Sequence, residues 1–202
     1  MTVAARVAGK PVPVTEIDRR EAILRAGNRA SALPRPGTSE GRQLRRWLTQ
    51  LAVAERVVAD EAAARGLVED GAPTEDAVLP DTAARLEIGS VAASTLALPL
   101  ARAVFADIGA AVVVTDADIA AYHARNPLRF ATKCTVPHGW NTRPEAPPLH
   151  EVSDHIARLL RGAAQRRAFR LWLDARCAAT VELAPGYEHP GDPRQPDNTH
   201  KH

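Results

Sequence analysis

The stretch Val114–Phe130, VTDADIAAYHARNPLRF, decides how this sequence is divided. Thr115 can accept a hydrogen bond from the amide three residues on, and Asp118 can reach back to the Thr115 amide, which is an acidic variant of the capping box. Pro127 ends the element because its ring disfavours a helical conformation in the residue before it. The stretch therefore predicts a short, sharply bounded helix that introduces a different kind of structure.

The composition predicts a mainly α-helical globular protein. The chain has 202 residues, of which 45% are hydrophobic but only 4% are aromatic. Its apolar residues are chiefly alanine, valine and leucine among many arginines, a mixture that favours helices over a β-sandwich. A net charge of +2 with interspersed acidic residues gives no support for a nucleic-acid surface, so we expect no nucleic-acid partner.

The strongest helical pattern runs from about Ser39 to Arg65, where Gly66 is expected to end it. The apolar residues that recur there at three-and-four spacing are Leu44, Trp47, Leu48, Leu51, Ala54 and Val58. A second long amphipathic helix is predicted to follow Pro148, a residue well suited to the start of a helix.

The two ends of the chain read as short strands. The first lies near Val3–Val7, before a helix whose cap is predicted at Thr15 and whose buried face is predicted to contain Ile17, Ile23 and Leu24. The other lies near Val181–Leu183. Each is too short to be stable alone, so the two are expected to pair.

The order of these parts is similar to that of the chaperone module of the SurA/PrsA foldases. In this chain the parts are, in order, a strand ending in AGKPVPVTEID, a helix, a long helix ending in EAAARGL, the capped helix, and a final helix and strand with the sequence PPLHEVSDHIARLLRGAAQRRAFRLWLDARCAATVEL. The resemblance extends to about Leu183. It implies a mainly α SurA/PrsA-like helical chaperone module over residues 1–185, with a small sheet joining the N- and C-terminal strands, and leaves 186–202 as a polar His/Pro-rich tail.

In that family the capped helix leads into a parvulin-type prolyl isomerase domain. In this sequence only a loop, residues 131–148, stands in that place. Isomerisation requires a packed pocket that twists a peptide bond against a barrier of about 18–20 kcal/mol, and this loop is too short to enclose one. Prolyl isomerase activity is therefore not expected.

The expected setting is the cytoplasm, without a membrane anchor. No secretion signal is recognisable and no run of about eighteen apolar residues occurs. The two cysteines, Cys134 and Cys177, are far apart in the sequence, which suits reduced thiols better than a disulfide framework.

Two functional hypotheses remain open from the sequence. In the first, the protein is not an enzyme but binds a peptide or partner protein in an apolar helical cradle, either as a chaperone-like protein or as an accessory subunit of an enzyme. The binding residues predicted on this basis are Trp47, Leu51, Phe105, Trp140, Trp172 and Tyr187.

The second hypothesis is a small metalloprotein or metal-dependent enzyme. Its ligands would be thiol and imidazole groups from the loop and the tail, which suit zinc or another divalent transition metal. The candidates are Cys134, His138, His189, His200 and His202. Their spacing matches no established zinc motif, so convergence of loop and tail would be needed to form the site.

Overall fold

The computed structural model describes residues 2–28, 30–131, 146–189 and 192. Within these residues the fold is mainly helical, with one small antiparallel sheet. The elements are β1 (Val3–Val7), β2 (Lys10–Pro13), α1 (Val14–Ala26), a 3₁₀ turn (Ala30–Ala32), α2 (Ser39–Arg65), α3 (Glu75–Val78), α4 (Thr82–Ile88), α5 (Ser90–Thr95), α6 (Pro99–Gly109), α7 (Asp116–Arg125), α8 (Leu149–Thr180) and β3 (Val181–Leu183).

The sheet joins the two ends of the described chain. Its strand order is β2-β1-β3, and both pairings are antiparallel. Ala5 lies opposite Leu183 and Val7 lies opposite Val181. The predicted pairing of the N- and C-terminal strands is therefore confirmed.

Helix α2 is the central scaffold of the fold. Its predicted bounds are confirmed: the Thr38 side chain accepts from the Gly41 amide at its start, and Gly66 adopts φ +66 at its end. That left-handed conformation suits glycine, which carries no Cβ. The helix contacts β1 and the helices α1, α5, α6 and α8, so most of the core is built around it.

Helix α8 closes the other side of the core through aromatic side chains. Phe169 is fully buried, and its ring centroid lies 5.7 Å from that of Phe105 and 5.4 Å from that of Trp172. These separations are typical of favourable aromatic pairs. The three rings tie α8 to α6 at the centre of the domain.

The capped helix is confirmed as α7, with both hydrogen bonds of the capping box present between Thr115 and Asp118. It packs against α8, and each of the two helices buries one isoleucine there, Ile119 and Ile156. Beyond α7, Phe130 contacts both Tyr122 and His155 through its ring. This aromatic contact brings the chain after α7 back to the first turns of α8.

The first helix differs from its predicted form. It begins at Val14, with Pro13 as its N-cap, so the cap predicted at Thr15 is wrong. Of the predicted buried face only Ile17 is buried, whereas Ile23 is 64% exposed and Leu24 is 37% exposed. The helix packs against α2, β1 and β2 on one side, and Ile23 and Leu24 lie away from this contact.

We expect Phe169→Ala to destabilise the fold by about 3–5 kcal/mol, because it removes a fully buried ring and leaves a cavity. Leu171→Ala is the matched control: the residue is on the same helix but 52% exposed, so the cost should stay within about 0.5 kcal/mol. Urea unfolding monitored by circular dichroism measures both. Equal midpoints for the two variants would contradict the assigned core.

Candidate functional site

A groove of about 510 Å³ runs between helices α2, α5 and α8. We call it the α2–α5–α8 groove. Its lining residues are Gln50, Ala54, Ile88, Gly89, Ser90, Val91, Ala92, Arg170, Leu173, Asp174, Cys177 and His189. Apolar side chains from all three helices are joined there by a few polar groups, which is the usual make-up of a binding site.

Local sequence explains how the helices present these groups. Gly89 adopts φ +89 between α4 and α5, a conformation that allows α5 to start directly at Ser90 and turn its first residues toward α2. On α8, Arg170, Asp174 and Cys177 follow one another at helical spacing and so share one face. The groove is thus bounded by regular secondary structure.

The polar groups of the groove differ in how they are satisfied. The Nε2 amide nitrogen of Gln50 is buried and has no hydrogen-bond partner among the residues that the structure describes. Arg170 and Asp174 form an ion pair at 3.9 Å, with both side chains at least half exposed. Such a pair contributes little to stability, so both charges are available to a ligand. Gln50 could donate to an acceptor in the groove after a rotation of its side chain that exposes Nε2.

The start of the tail lies beside this groove. Arg46 on α2 donates a hydrogen bond to the Gly186 carbonyl oxygen at 3.2 Å, and Tyr187 packs against the hydrophobic core. Two residues later, His189 lines the groove itself. The segment that follows β3 therefore lies along α2 and reaches the α2–α5–α8 groove.

A cluster of charges holds Tyr187 at this position. Arg45 donates to Asp18 at 2.6 Å and to Glu21 at 2.7 Å, and Tyr187 lies close enough to contribute to the electrostatic environment of its guanidinium group. Burial alone would lower the pKa of Arg45, but these hydrogen bonds outweigh it and raise the pKa. Burial would likewise raise the pKa of Glu21, yet hydrogen bonds from Arg25 and Arg45 lower it. Both groups therefore stay charged and link α1 to α2 beneath the tail.

The residues predicted to form an apolar cradle do not all reach one open surface. Phe105 is 5% exposed and packs in the core. Trp47 and Trp172 are half-buried against that core, and Trp47 donates to the Ser90 hydroxyl at 3.2 Å, so it supports the edge of the groove. Leu51 is half-buried. Tyr187 lies at the start of the tail as described above.

Four of the five predicted metal ligands lie outside the described residues: Cys134, His138, His200 and His202. The predicted binding residue Trp140 also lies outside them. His189 is described and is exposed. Among residues 2–28, 30–131, 146–189 and 192, no group of three or more His, Cys, Asp or Glu side chains is placed to hold a metal ion. The metal site stays a prediction.

Among the candidate site residues chosen from the sequence, only His189 is found in the lining of the groove. Sequence reasoning missed Gln50, which flanks the apolar stripe of α2, and Arg170 and Asp174, which flank that of α8. A signal was available, because residues at the border of an amphipathic stripe line the space between two packed helices. Which border residues of α2, α5 and α8 face one another depends on how the helices pack, and this could not be predicted from the sequence.

Comparison with known proteins adds one match. The model of a family of unknown function, DUF7158, matches residues 3–40, which comprise β1, β2, α1 and the loop into α2. No curated protein matches the chain, and neither does any solved structure. A search of the described helices for one that is both long and apolar enough to cross a membrane found none.

We expect Cys177 to react slowly. Burial, together with the nearby Asp174 charge, raises the pKa of this thiol from 9.0 to about 11. Because the thiolate is the reactive form, alkylation by iodoacetamide at pH 8 should be about a hundredfold slower than at an unperturbed thiol. The rate should keep rising up to a pH near 11.

The control places a cysteine at an exposed position of the same helix, as Leu171→Cys combined with Cys177→Ser. Cys134→Ser is present in both proteins, so each contains a single thiol. Mass spectrometry follows the modification with time. Equal rates in the two proteins at pH 8 would contradict the assigned environment of Cys177.

Proposed function

We propose that this protein is a non-catalytic, chaperone-like or accessory protein that holds an extended peptide segment of a client or partner protein in the α2–α5–α8 groove. The observation that carries the proposal is the groove itself, which is open and lined by apolar side chains together with polar groups from α2, α5 and α8. Extended peptides bind in this way, with side chains in apolar contact and the main chain hydrogen-bonded.

The base of the groove suits apolar side chains of a peptide. Ala54, Val91 and Leu173 come from three different helices, and Ala54 and Leu173 are core residues. Contact with a small apolar side chain at such a surface is favourable by roughly 25 cal/mol per Å² of apolar area removed from water. The surface selects for apolar character rather than for one exact shape, as a binder of varied clients requires.

The polar groups suit a peptide main chain. The buried Nε2 of Gln50 has no partner among the described residues, and a buried donor without a partner costs about 1–3 kcal/mol. A rotation of the Gln50 side chain would bring this amide to a peptide carbonyl oxygen in the groove, and the resulting hydrogen bond would remove that cost. Arg170 and Asp174 could contact charged groups at either end of the bound segment.

The size of the groove sets the expected strength of binding. About 510 Å³ lies within the range of about 300–1,000 Å³ found for ligand sites and would hold only a few side chains. We therefore expect recognition of a short segment with weak, rapidly exchanging binding. Such binding suits a chaperone or an accessory subunit, which must release its partner.

The resemblance to the SurA/PrsA chaperone module supports the same function. The proposal includes a cytoplasmic setting, which is supported by the cysteine usage: Cys177 is a free thiol in the described part of the chain. It also includes the absence of prolyl isomerase activity, because residues 131–148 are too few to form the domain that supplies this activity in the SurA/PrsA family.

The test uses an array of overlapping peptides from unfolded model proteins, followed by fluorescence anisotropy with the peptides that bind. Arg170→Trp places a bulky ring at the groove and should weaken binding at least tenfold. Arg167→Trp introduces the same ring three residues away on α8, at an exposed position that does not line the groove, and should leave binding unchanged. Equal affinities for the two variants, or no peptide binding at all, would contradict the proposal.

A further inference from the structure

The C-terminal tail is anchored at the very groove to which we assign peptide binding. Gly186 accepts a hydrogen bond from Arg46, Tyr187 packs against the hydrophobic core, and His189 lines the groove. These contacts come from one continuous run of the chain. They fix both the place where the tail meets the groove and the side from which it arrives.

The last described residue of the tail, Asp192, lies next to His189. The amide of Asp192 donates to the His189 carbonyl oxygen at 2.9 Å, and Asp192 is half-buried. This hydrogen bond keeps Asp192 close to a residue that lines the groove.

We propose that residues 193–202 of this same chain occupy the α2–α5–α8 groove and compete there with the partner peptide. The inference rests on the proposed function, since it names the intramolecular ligand of the same site. The tail is then an internal substitute for a client: it covers the groove when no client is present and is displaced when one binds.

The length of the segment is sufficient. Ten residues follow Asp192, and an extended chain of that length spans up to ~33 Å. The groove wall from Arg170 to Cys177 is about 10 Å long, given the helical rise per residue. Three or four residues of the segment would cover it, so the segment is longer than the groove requires.

The composition of the segment suits an extended ligand of moderate affinity. Pro193 and Pro196 restrict the backbone, so less conformational entropy is lost on docking. Neither proline can donate a main-chain hydrogen bond, but their carbonyl groups, like all others in the segment, can accept one. Gln50 lines the groove, and its Nε2, which lacks a partner among the described residues, could donate to such a carbonyl after a rotation of the side chain.

Tethering makes weak binding effective. A segment joined to its site by a short connection experiences an effective concentration of about millimolar. A millimolar intrinsic affinity would then be enough to fill the groove in a large part of the molecules. A client peptide must bind more tightly than this, or be present at higher concentration, to displace the tail.

The test is photo-cross-linking in the full-length protein. Asn198 is replaced by p-benzoylphenylalanine, the protein is irradiated at low concentration, and the products are mapped by mass spectrometry. We expect intramolecular cross-links to peptides containing residues 50–54, 88–92 or 170–177. Arg170→Trp should reduce their yield at least fivefold, whereas Arg167→Trp should leave it unchanged.

Cross-links to α1 or α7, predominantly intermolecular products, or the absence of any cross-link would overturn the tail proposal. The peptide array separates this failure from failure of the proposed function. If array peptides bind and are sensitive to Arg170→Trp while the tail does not cross-link to the groove, the function stands and the tail proposal falls. If neither the tail nor any peptide binds there, both fall.

Discussion

The pairing of β1 with β3 is the constraint on which the rest of the structure depends. It joins segments at opposite ends of the chain through main-chain hydrogen bonds, from the Ala8 amide to Thr180 at 2.8 Å and from the Ala184 amide to Ala4 at 2.9 Å. Bringing β1 and β3 together costs conformational entropy, because most of the chain lies between them. The hydrogen bonds of a three-residue strand cannot offset that cost alone. Ala5 and Val7 are almost fully buried, so their packing in the hydrophobic core supplies the remaining stabilisation.

This closure determines where the functional elements lie. Because β3 must return beside β1, α8 ends next to the sheet, and its C-terminal half packs across α2 and α6. The α2–α5–α8 groove is the space that remains between α2, α5 and α8. The tail continues directly from β3 and so reaches this groove. An ion pair between Glu61 on α2 and Arg176 on α8 links the two helices near the same end.

The sequence was sufficient to predict features that depend on local chemistry. The capping box at Thr115 and Asp118 and the glycine stop at Gly66 involve neighbouring residues, so both were readable. The pairing of the terminal strands was also predicted, because short strands need partners. The strand β2 was not, since Pro11 and Pro13 argue against a strand except at an edge, and β2 is an edge strand.

The groove could not be read from the sequence to the same degree. Trp47 and Phe105 were expected to line a cradle, but tertiary packing places Phe105 against Phe169 in the core and turns Trp47 toward Ser90. Large apolar residues usually fill the interior, so they are poor indicators of an open site. The smaller and polar residues at the borders of the helices, such as Gln50 and Arg170, line the groove instead.

Native-state hydrogen exchange of the Ala8 and Ala184 amides tests the central role of strand closure most directly. If the fold depends on the β1–β3 pairing, both amides should exchange only through global unfolding, at the same free energy as amides in the middle of α2. Exchange of Ala8 and Ala184 at much lower free energy, while α2 and α8 keep their full protection, would show that the helices hold together without the strands and would contradict the account.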